Sequence, residues 1–103
     1  MKIFSSQKKT IEAFVNNECN NGKSNDGRVW FEDNVIYSFG RHFPLAVRFD
    51  NGFFAINDTK YSMNTRKHQN IIKALTSGVH VNIVMPTRET KLEDFLNMVD
   101  SLL

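Results

Sequence analysis

The sequence predicts one α+β domain spanning residues 1–103, with an antiparallel sheet of about five strands and about three helices. Residues 28–57 hold short runs rich in β-branched and aromatic residues, separated by turn signals. Helical periodicity appears before and after this region. A chain of 103 residues is also too short for two independent cores. Because the strands cluster instead of alternating regularly with helices, the pattern is typical of the α+β class.

The first predicted helix runs from Ser5 to about Asn16. Three of its apolar residues follow the helical spacing i, i+3, i+4: Ile11, Phe14 and Val15. Asparagine, glycine and serine then crowd residues 16–27, which predicts the longest loop of the chain. This loop carries Cys19, and one cysteine cannot form an internal disulfide or a cysteine-based zinc site.

Four strands are predicted to follow as an antiparallel meander: Val29–Glu32, Val35–Phe39, Pro44–Phe49 and Phe53–Asn57. Asp33-Asn34 is a two-residue hairpin connection, and Gly52 suits the left-handed position of a longer hairpin loop. Pro44 cannot donate to a strand ladder, so we expect it at the first residue of its strand or on an edge. Arg41 and His42 then lie in the turn between the two hairpins.

A second helix is predicted to begin at Asn64 or Thr65 and to run to Ser77, before Gly78 at the usual stop position. Its predicted buried face has the spacing i, i+3, i+4, i+7: His68, Ile71, Ile72 and Leu75. A fifth strand is predicted over residues 79–85, where apolar residues alternate.

The last helix has the clearest apolar stripe in the chain. Thr90 and Glu93 have the spacing of a capping box and predict its start. The stripe consists of Leu92, Phe95, Leu96, Val99 and Leu103. This helix packs either on the sheet or on a second copy of the protein, so a homodimer stays open at this point.

Composition excludes several classes of protein. No apolar run is long enough to cross a bilayer and the N-terminus has no signal-peptide core, so we expect a cytoplasmic protein without membrane contact. The chain contains no glycine-rich phosphate loop and no nucleophile elbow, and we expect no cofactor. His42, His68 and His80 do not have the spacing that fixes two ligands on one element, so we expect no metal site.

Two histidines deserve separate interpretations. His68 lies on an apolar helix face, so we expect a structural role in which its ring bonds a backbone carbonyl, Tyr37 or Tyr61 and locks helix to sheet. His42 suits either packing or contact with a partner, and because no nucleophile accompanies it we predict no catalytic residue. The alternative is a histidine-dependent nuclease or phosphotransfer enzyme built on both histidines.

The charge distribution points to an anionic partner. The net charge is only +2, but residues 60–80 hold four cations and no acid: Lys60, Arg66, Lys67 and Lys73. Several surround the start of the second helix, where free backbone N–H groups also favour anions. We therefore predict that these residues bind nucleic-acid phosphate, with Arg41 and His42 and also Arg48 as additional contacts. The alternative is a solvated helix face.

Two sequence blocks carry a resemblance to a known family. Residues 37–46, Tyr-Ser-Phe-Gly-Arg-His-Phe-Pro-Leu-Ala, and residues 61–69, Tyr-Ser-Met-Asn-Thr-Arg-Lys-His-Gln, resemble small phage- and plasmid-encoded proteins of no known activity. The resemblance covers roughly residues 28–75 and supplies no site residues. It implies a mobile-element origin, and small phage proteins often bind a host nucleic-acid machine, as anti-CRISPR proteins do. We therefore expect a binding protein that contacts nucleic acid or a host nucleoprotein, with an enzyme or a dimeric interaction module as alternatives.

Overall fold

The computed structural model describes residues 1–102, which form a seven-stranded sheet and three helices. In chain order the elements are β1 (Lys2–Phe4), α1 (Gln7–Val15), β2 (Asn21–Ser24), β3 (Val29–Glu32), β4 (Val35–Ser38), β5 (Phe43–Arg48), β6 (Phe54–Asn57), α2 (Met63–Leu75), β7 (His80–Ile83) and α3 (Leu92–Leu102). The predicted α+β class is confirmed. The predicted sheet of about five antiparallel strands is wrong, because the sheet is mixed and has seven strands.

The strands lie side by side in the order in which they occur along the chain. Strands β2 to β6 form an antiparallel series, which confirms the predicted meander. At each end of the sheet a parallel strand is added, β1 beside β2 and β7 beside β6. Helices α1 and α2 connect these parallel pairs and contact one another on one face of the sheet. Helix α3 packs on the opposite face.

The two strands missing from the prediction lie at the start of the chain. Strand β2 occupies part of the loop that was predicted over residues 16–27. The prediction missed this strand because its Asn-Gly-Lys-Ser sequence has little strand preference. Its position depends on Gly22, which lies beneath two aromatic rings. A Cβ atom there would come within 2.7 Å of Phe4 Cε2 and 2.9 Å of Phe31 Cε1. Pairing on both sides and this close packing override the local preference.

The turns of the meander agree with the sequence, with one change in strand length. Asp33 and Gly52 have positive φ angles of 55° and 83°, as their hairpin turns require. Phe39 also has a positive φ, 59°, so β4 ends at Ser38 instead of continuing to Phe39. The ring of Phe39 is displayed outward and is 53% exposed.

Pro44 lies in the interior of the sheet, contrary to the prediction. It is the second residue of β5 and pairs with Tyr37 of β4. The ladder is irregular here, with a register shift between Ile36 and Tyr37. We attribute the tolerance of proline to this irregularity, since a bulge locally relieves the demand for a backbone donor.

The start of α2 differs from the prediction by one or two residues. Ser62 is the N-cap instead of Asn64 or Thr65, and its hydroxyl accepts a hydrogen bond from Thr65 N at 3.1 Å. The helix ends at Leu75, two residues before the predicted Ser77. Local hydrogen bonds therefore decide both ends, and sequence preference locates them only approximately.

The buried face of α2 is more polar than predicted. His68 and Ile72 are buried as expected, but Leu75 is 38% exposed and Gln69 is fully buried. The Gln69 side-chain amide donates to the carbonyl oxygens of Asn57 and Thr59, at 2.7 and 3.0 Å. The chain leaving β6 thus gives a buried amide its partners, which apolar periodicity does not reveal.

Strand β7 is an edge strand and is shorter than the predicted strand over residues 79–85. Val79 and Val81 are exposed, and the apolar alternation reaches the interior only at Ile83 and Met85. An edge strand has no neighbour on one side to cover its residues.

Helix α3 begins without the predicted capping box. The Thr90 hydroxyl donates to Thr87 O at 3.1 Å, while the helix starts at Leu92. Phe95 and Val99 are buried against the sheet, and Leu103 of the predicted stripe lies outside the described residues. The helix therefore forms part of the core; the possible homodimer stays a prediction.

The core has one layer on each face of the sheet. The layer beneath α1 and α2 includes Phe14, Phe31, Phe43, Ile56 and Ile72. The layer beneath α3 consists of Val35, Val47, Ala55, Ile83, Met85, Phe95 and Val99. Within residues 1–102, this second layer contains no residue of β1, β2 or β3. Helix α3 thus covers only one half of its face of the sheet.

Candidate nucleic-acid interface

All three helices described in residues 1–102 begin at the same end of the sheet. Each helix follows a strand, and β1, β6 and β7 all point toward this end because of the pairing directions. The turn after β2 and the loop after β4 lie here as well, joined by a hydrogen bond of 3.0 Å from Gly40 N to Arg28 O. Partly free backbone N–H groups and positive dipole ends therefore converge at this end.

Exposed cations surround the starts of α1 and α2, whereas α3 has Glu93 and Asp94 in its first turn. Lys8 and Lys9 lie in the first turn of α1, and neither α1 nor α2 has an acidic residue in its first turn. Arg28, Lys60 and Lys67 are exposed at the same end. None of these five residues takes part in the salt bridges found within residues 1–102. We call this set of five the cationic end.

Two of the predicted phosphate contacts share one carboxylate, which offsets part of their positive charge. Arg66 Nη1 and Lys73 Nζ both lie 2.7 Å from Oδ1 of Asp58. The expectation of a cluster undiluted by acid is therefore wrong for these residues. Asp58 precedes residue 60 in the sequence, so the window 60–80 excluded it, whereas the turn after β6 brings it beside α2.

The Arg41 side chain extends over the sheet face, although its backbone lies in the loop after β4. Its Nη2 is 2.9 Å from Oε2 of Glu32, and its Cζ lies 5.8 Å from the ring centroids of both Trp30 and Tyr37. His42 is exposed in the same loop, as predicted, and its ring centroid is 5.9 Å from that of Phe39.

Arg48 is far from the predicted phosphate contacts. Its guanidinium donates to Phe14 O at 2.6 Å and to Asn17 Oδ1 at 3.0 Å, at the C-terminal end of α1. Cations at this position satisfy free carbonyl groups and complement the helix dipole. The inclusion of Arg48 among the phosphate contacts is therefore wrong, and its visible contacts are those of a helix cap.

His68 joins two helices and the sheet. Its Nδ1 is 2.6 Å from the Ser38 hydroxyl in β4, and its Nε2 is 2.6 Å from Oε1 of Gln7 in α1. The predicted partners, Tyr37 and Tyr61, do not bond the ring. Tyr37 packs at the margin of the α3 layer and Tyr61 packs 5.0 Å from the Phe43 ring.

The hydrogen bonds around Gln7 fix the proton on His68. A hydrogen bond from the Ser24 hydroxyl lowers the pKa of Asp26 to about 2, so its carboxylate is ionised and only accepts. Gln7 Nε2 donates to Asp26 at 2.7 Å, which directs Gln7 Oε1 toward the imidazole. His68 therefore carries its proton on Nε2 and accepts from Ser38 at Nδ1. Burial lowers the pKa of His68 below its usual 6.5 and keeps the ring neutral.

The arrangement of the histidines does not favour the enzyme alternative. His68 is 1% exposed and its partner Ser38 is fully buried, so no substrate reaches this pair. His42 lies on the surface. An active site built on both histidines requires them on one accessible surface.

Three neighbouring residues lie on the half of the sheet that α3 leaves open. The sequence prediction did not include Lys23 or Trp30 among the site residues, and it expected Tyr37 to bond His68. Lys23, Trp30 and Tyr37 occupy neighbouring positions on β2, β3 and β4. Alternation along β3 could have identified Trp30 as a residue of the sheet face opposite α1 and α2. Its neighbours Val29 and Phe31 are buried and point to the face that carries those helices.

Residues 1–102 contain no group of three histidine, cysteine or acidic side chains that could hold a metal ion. In the same residues, no helix has the length and apolar character needed to cross a bilayer. No protein-family model, curated protein or solved structure matches the chain.

Proposed function

We propose that the protein is a binding protein that contacts the phosphate backbone of a nucleic acid, free or within a nucleoprotein, through its cationic end. The resemblance of residues 37–46 and 61–69 to small phage and plasmid proteins suggests a host nucleic-acid machine as the partner. In that case the protein acts as an inhibitor of the host's defence, as anti-CRISPR proteins do.

The observation that carries the proposal is the position of Lys8 and Lys9 in the first turn of α1. The positive end of the helix dipole disfavours cations there, and the turn itself contains no acidic residue. The nearby carboxylate of Asp26 offsets part of this charge, and it accepts hydrogen bonds from Gln7 and Ser24. Lys67 and Arg28 add further exposed positive charge at the same end of the sheet. An arrangement that is unfavourable for the isolated helix is favourable when an anion binds.

The test is nucleic-acid binding over a salt series. A fluorescein-labelled duplex is titrated with the wild-type protein and with the triple variant Lys8→Gln, Lys9→Gln, Lys67→Gln. Each lost phosphate contact reduces the salt slope by about 0.9, so we expect a slope smaller by about 2 to 3 and weaker binding at low salt. Lys2→Gln is the control, because Lys2 is equally exposed but lies at the start of β1, at the other end of the sheet.

The proposal predicts little change for Lys2→Gln and an unchanged melting temperature for all variants. It would be overturned by equal affinity and equal slope in the triple variant and the wild type. Absence of binding to both duplex and single-stranded nucleic acid at low salt would also contradict it.

A further inference from the structure

We propose that the half of the sheet face not covered by α3 binds unpaired bases of a single-stranded nucleic acid. This open sheet face consists of Lys23, Trp30, Tyr37 and Arg41. The inference rests on the proposed function and deepens it, because it names the substrate class and the surface that reads the bases. The cationic end contacts phosphates, whereas the open sheet face contacts base rings.

The positions of the two aromatic residues follow from the sheet register. Trp30 pairs directly with Tyr37, and Lys23 pairs with Trp30 on the other side. All three point away from α1 and α2, since their neighbours Phe31 and Ile36 belong to the layer beneath those helices. Directly opposite side chains on one face of a sheet lie close together. The two rings therefore form adjacent platforms on a half-exposed surface.

Trp30 is held in place but is not part of the core. Its indole Nε1 donates to Gly27 O at 2.8 Å, and neither core layer contains it. Gly27 has a positive φ of 73°, which turns the β2–β3 connection so that its carbonyl meets the indole. Because the indole N–H already has an acceptor, a ligand can contact Trp30 only through the faces and edges of its ring. The same hydrogen bond holds the ring in place, so the side chain loses little entropy when a base stacks on it.

Two cations lie over the faces of the rings, so they must move aside when a base stacks. Lys23 Nζ lies 4.8 Å from the Trp30 ring, and Arg41 Cζ lies 5.8 Å from both the Trp30 and Tyr37 centroids. Aromatic rings bordered by cations match a chain that alternates flat bases with phosphates. Glu32 holds Arg41 through an exposed ion pair. Its negative charge opposes a nucleic acid, so the pair must open or shift when the strand binds.

The same features favour a single-stranded nucleic acid over a duplex, a second copy of the protein or an apolar peptide. In a duplex the base faces are stacked on one another and cannot reach side-chain rings. A second copy of this face would bring Lys23 and Arg41 against identical cations, which costs energy. Apolar peptides are disfavoured because the charged groups of Lys23 and Arg41 lie over the rings.

The experiment uses the fact that Trp30 is the only tryptophan of the chain. Oligothymidylate of about 15 nucleotides is added to the full-length protein at low salt, and the quenching of tryptophan fluorescence is recorded. Affinities for this strand and for a duplex of equal length are measured by the polarisation of labelled nucleic acid. The variants are Trp30→Leu, Trp30→Phe, Lys23→Gln and Glu32→Gln. Phe53→Leu is the matched control, a half-buried aromatic at the opposite end of the sheet.

We expect tight binding of the single strand with quenched fluorescence, and a loss of about tenfold or more for Trp30→Leu. Trp30→Phe should retain most of the affinity because phenylalanine still stacks, and Phe53→Leu should retain all of it. Lys23→Gln should weaken binding and reduce the salt slope, whereas Glu32→Gln should tighten binding by releasing Arg41. Circular dichroism and melting curves verify that each variant is folded.

The outcomes separate this inference from the proposed function. The proposed stacking surface would be overturned by equal affinities for the single strand and the duplex, together with unquenched tryptophan fluorescence. In that case Trp30→Leu and Lys23→Gln would also leave the affinity unchanged. If the triple variant of the cationic end still weakened binding in that case, the proposed function would stand. If the single strand bound through Trp30 while the cationic-end variant behaved as wild type, the stacking surface would stand and the phosphate contacts would be wrong. Self-association that depended on Trp30, without nucleic-acid binding, would overturn both.

Discussion

Gln7 and His68 are 61 residues apart in sequence, yet their side chains meet with 2.6 Å between Gln7 Oε1 and His68 Nε2. The contact joins the first turn of α1 to the middle of α2 and continues through Ser38 into the sheet. Helices that cross the same face of the sheet are thereby fixed relative to one another and to β4. The cationic end depends on this arrangement, because Lys8 and Lys9 lie on α1 and Lys67 lies on α2.

The first prediction concerns the stability that His68 provides. His68→Ala should lower the free energy of unfolding by roughly 1 to 3 kcal/mol, because it removes one buried and one partly buried hydrogen bond. Gln7 Oε1 loses its bond to the ring, whereas the Ser38 hydroxyl keeps its contact with the Thr65 hydroxyl at 3.0 Å. Thermal or urea unfolding measures the effect. A melting curve identical to that of the wild type would show that the network contributes nothing.

The second prediction is a pH dependence from the same residue. Burial lowers the pKa of His68 in the folded state below 6.5, so the unfolded chain binds the proton more readily. Stability from the neutral ring is therefore complete above pH 6.5 and is lost as the pH falls from 6.5 through the folded pKa. Urea unfolding from pH 7.5 to 5 should show a decline that is smaller in His68→Gln, which cannot titrate. Parallel pH profiles for the two proteins would contradict the assignment.

The third prediction tests the packing that the loop prediction missed. Gly22→Ala should destabilise the protein by about 1 to 3 kcal/mol, because the new methyl group would come within 2.7 Å of Phe4 Cε2. Combining it with Phe4→Leu, which removes the ring, should cost less than the sum of the two single changes. Unfolding of the four proteins of this cycle measures the coupling. Additive effects would mean that the ring does not limit this position.

The fourth prediction separates core from interface in α3. Phe95 is fully buried, so Phe95→Ala should cost about 3 to 5 kcal/mol of stability. Leu102 is 62% exposed, so Leu102→Ser should leave the melting temperature nearly unchanged. Sedimentation of the wild type and of Leu102→Ser then tests the homodimer. A dimer that dissociates in Leu102→Ser would assign the end of this helix to an interface.

The fifth prediction concerns the two adjacent cations of α2. Arg66→Glu should destabilise the protein by on the order of 1 kcal/mol, since it places a carboxylate beside Asp58. Lys67→Glu should be nearly neutral for stability, because Lys67 is exposed and has no such neighbour within residues 1–102. Melting curves at low and high salt compare the two. Equal effects would show that the Arg66–Asp58 pair is absent in solution.

Local sequence signals determined the elements that rely on few distant contacts. The three helices, the meander of β3 to β6, and the turns at Asp33 and Gly52 were predictable because periodicity and turn chemistry act over a few residues. The burial of His68 was predictable for the same reason, as it lies one turn from Ile72. By contrast, β2 has weak strand preference and β1 is only three residues long, so both depend on pairing with neighbouring strands.

The candidate surfaces were decided by the tertiary structure. The sequence identified Lys60 and Lys67 as candidate phosphate contacts. It could not show that Asp58 would pair with Arg66 and Lys73, because these ion pairs form only when the turn after β6 meets α2. It also could not show that Trp30 would stay uncovered, since this depends on where α3 lies across the sheet. Side chains far apart in the chain acquire a common surface only through strand register and helix packing, and neither is encoded in a local pattern.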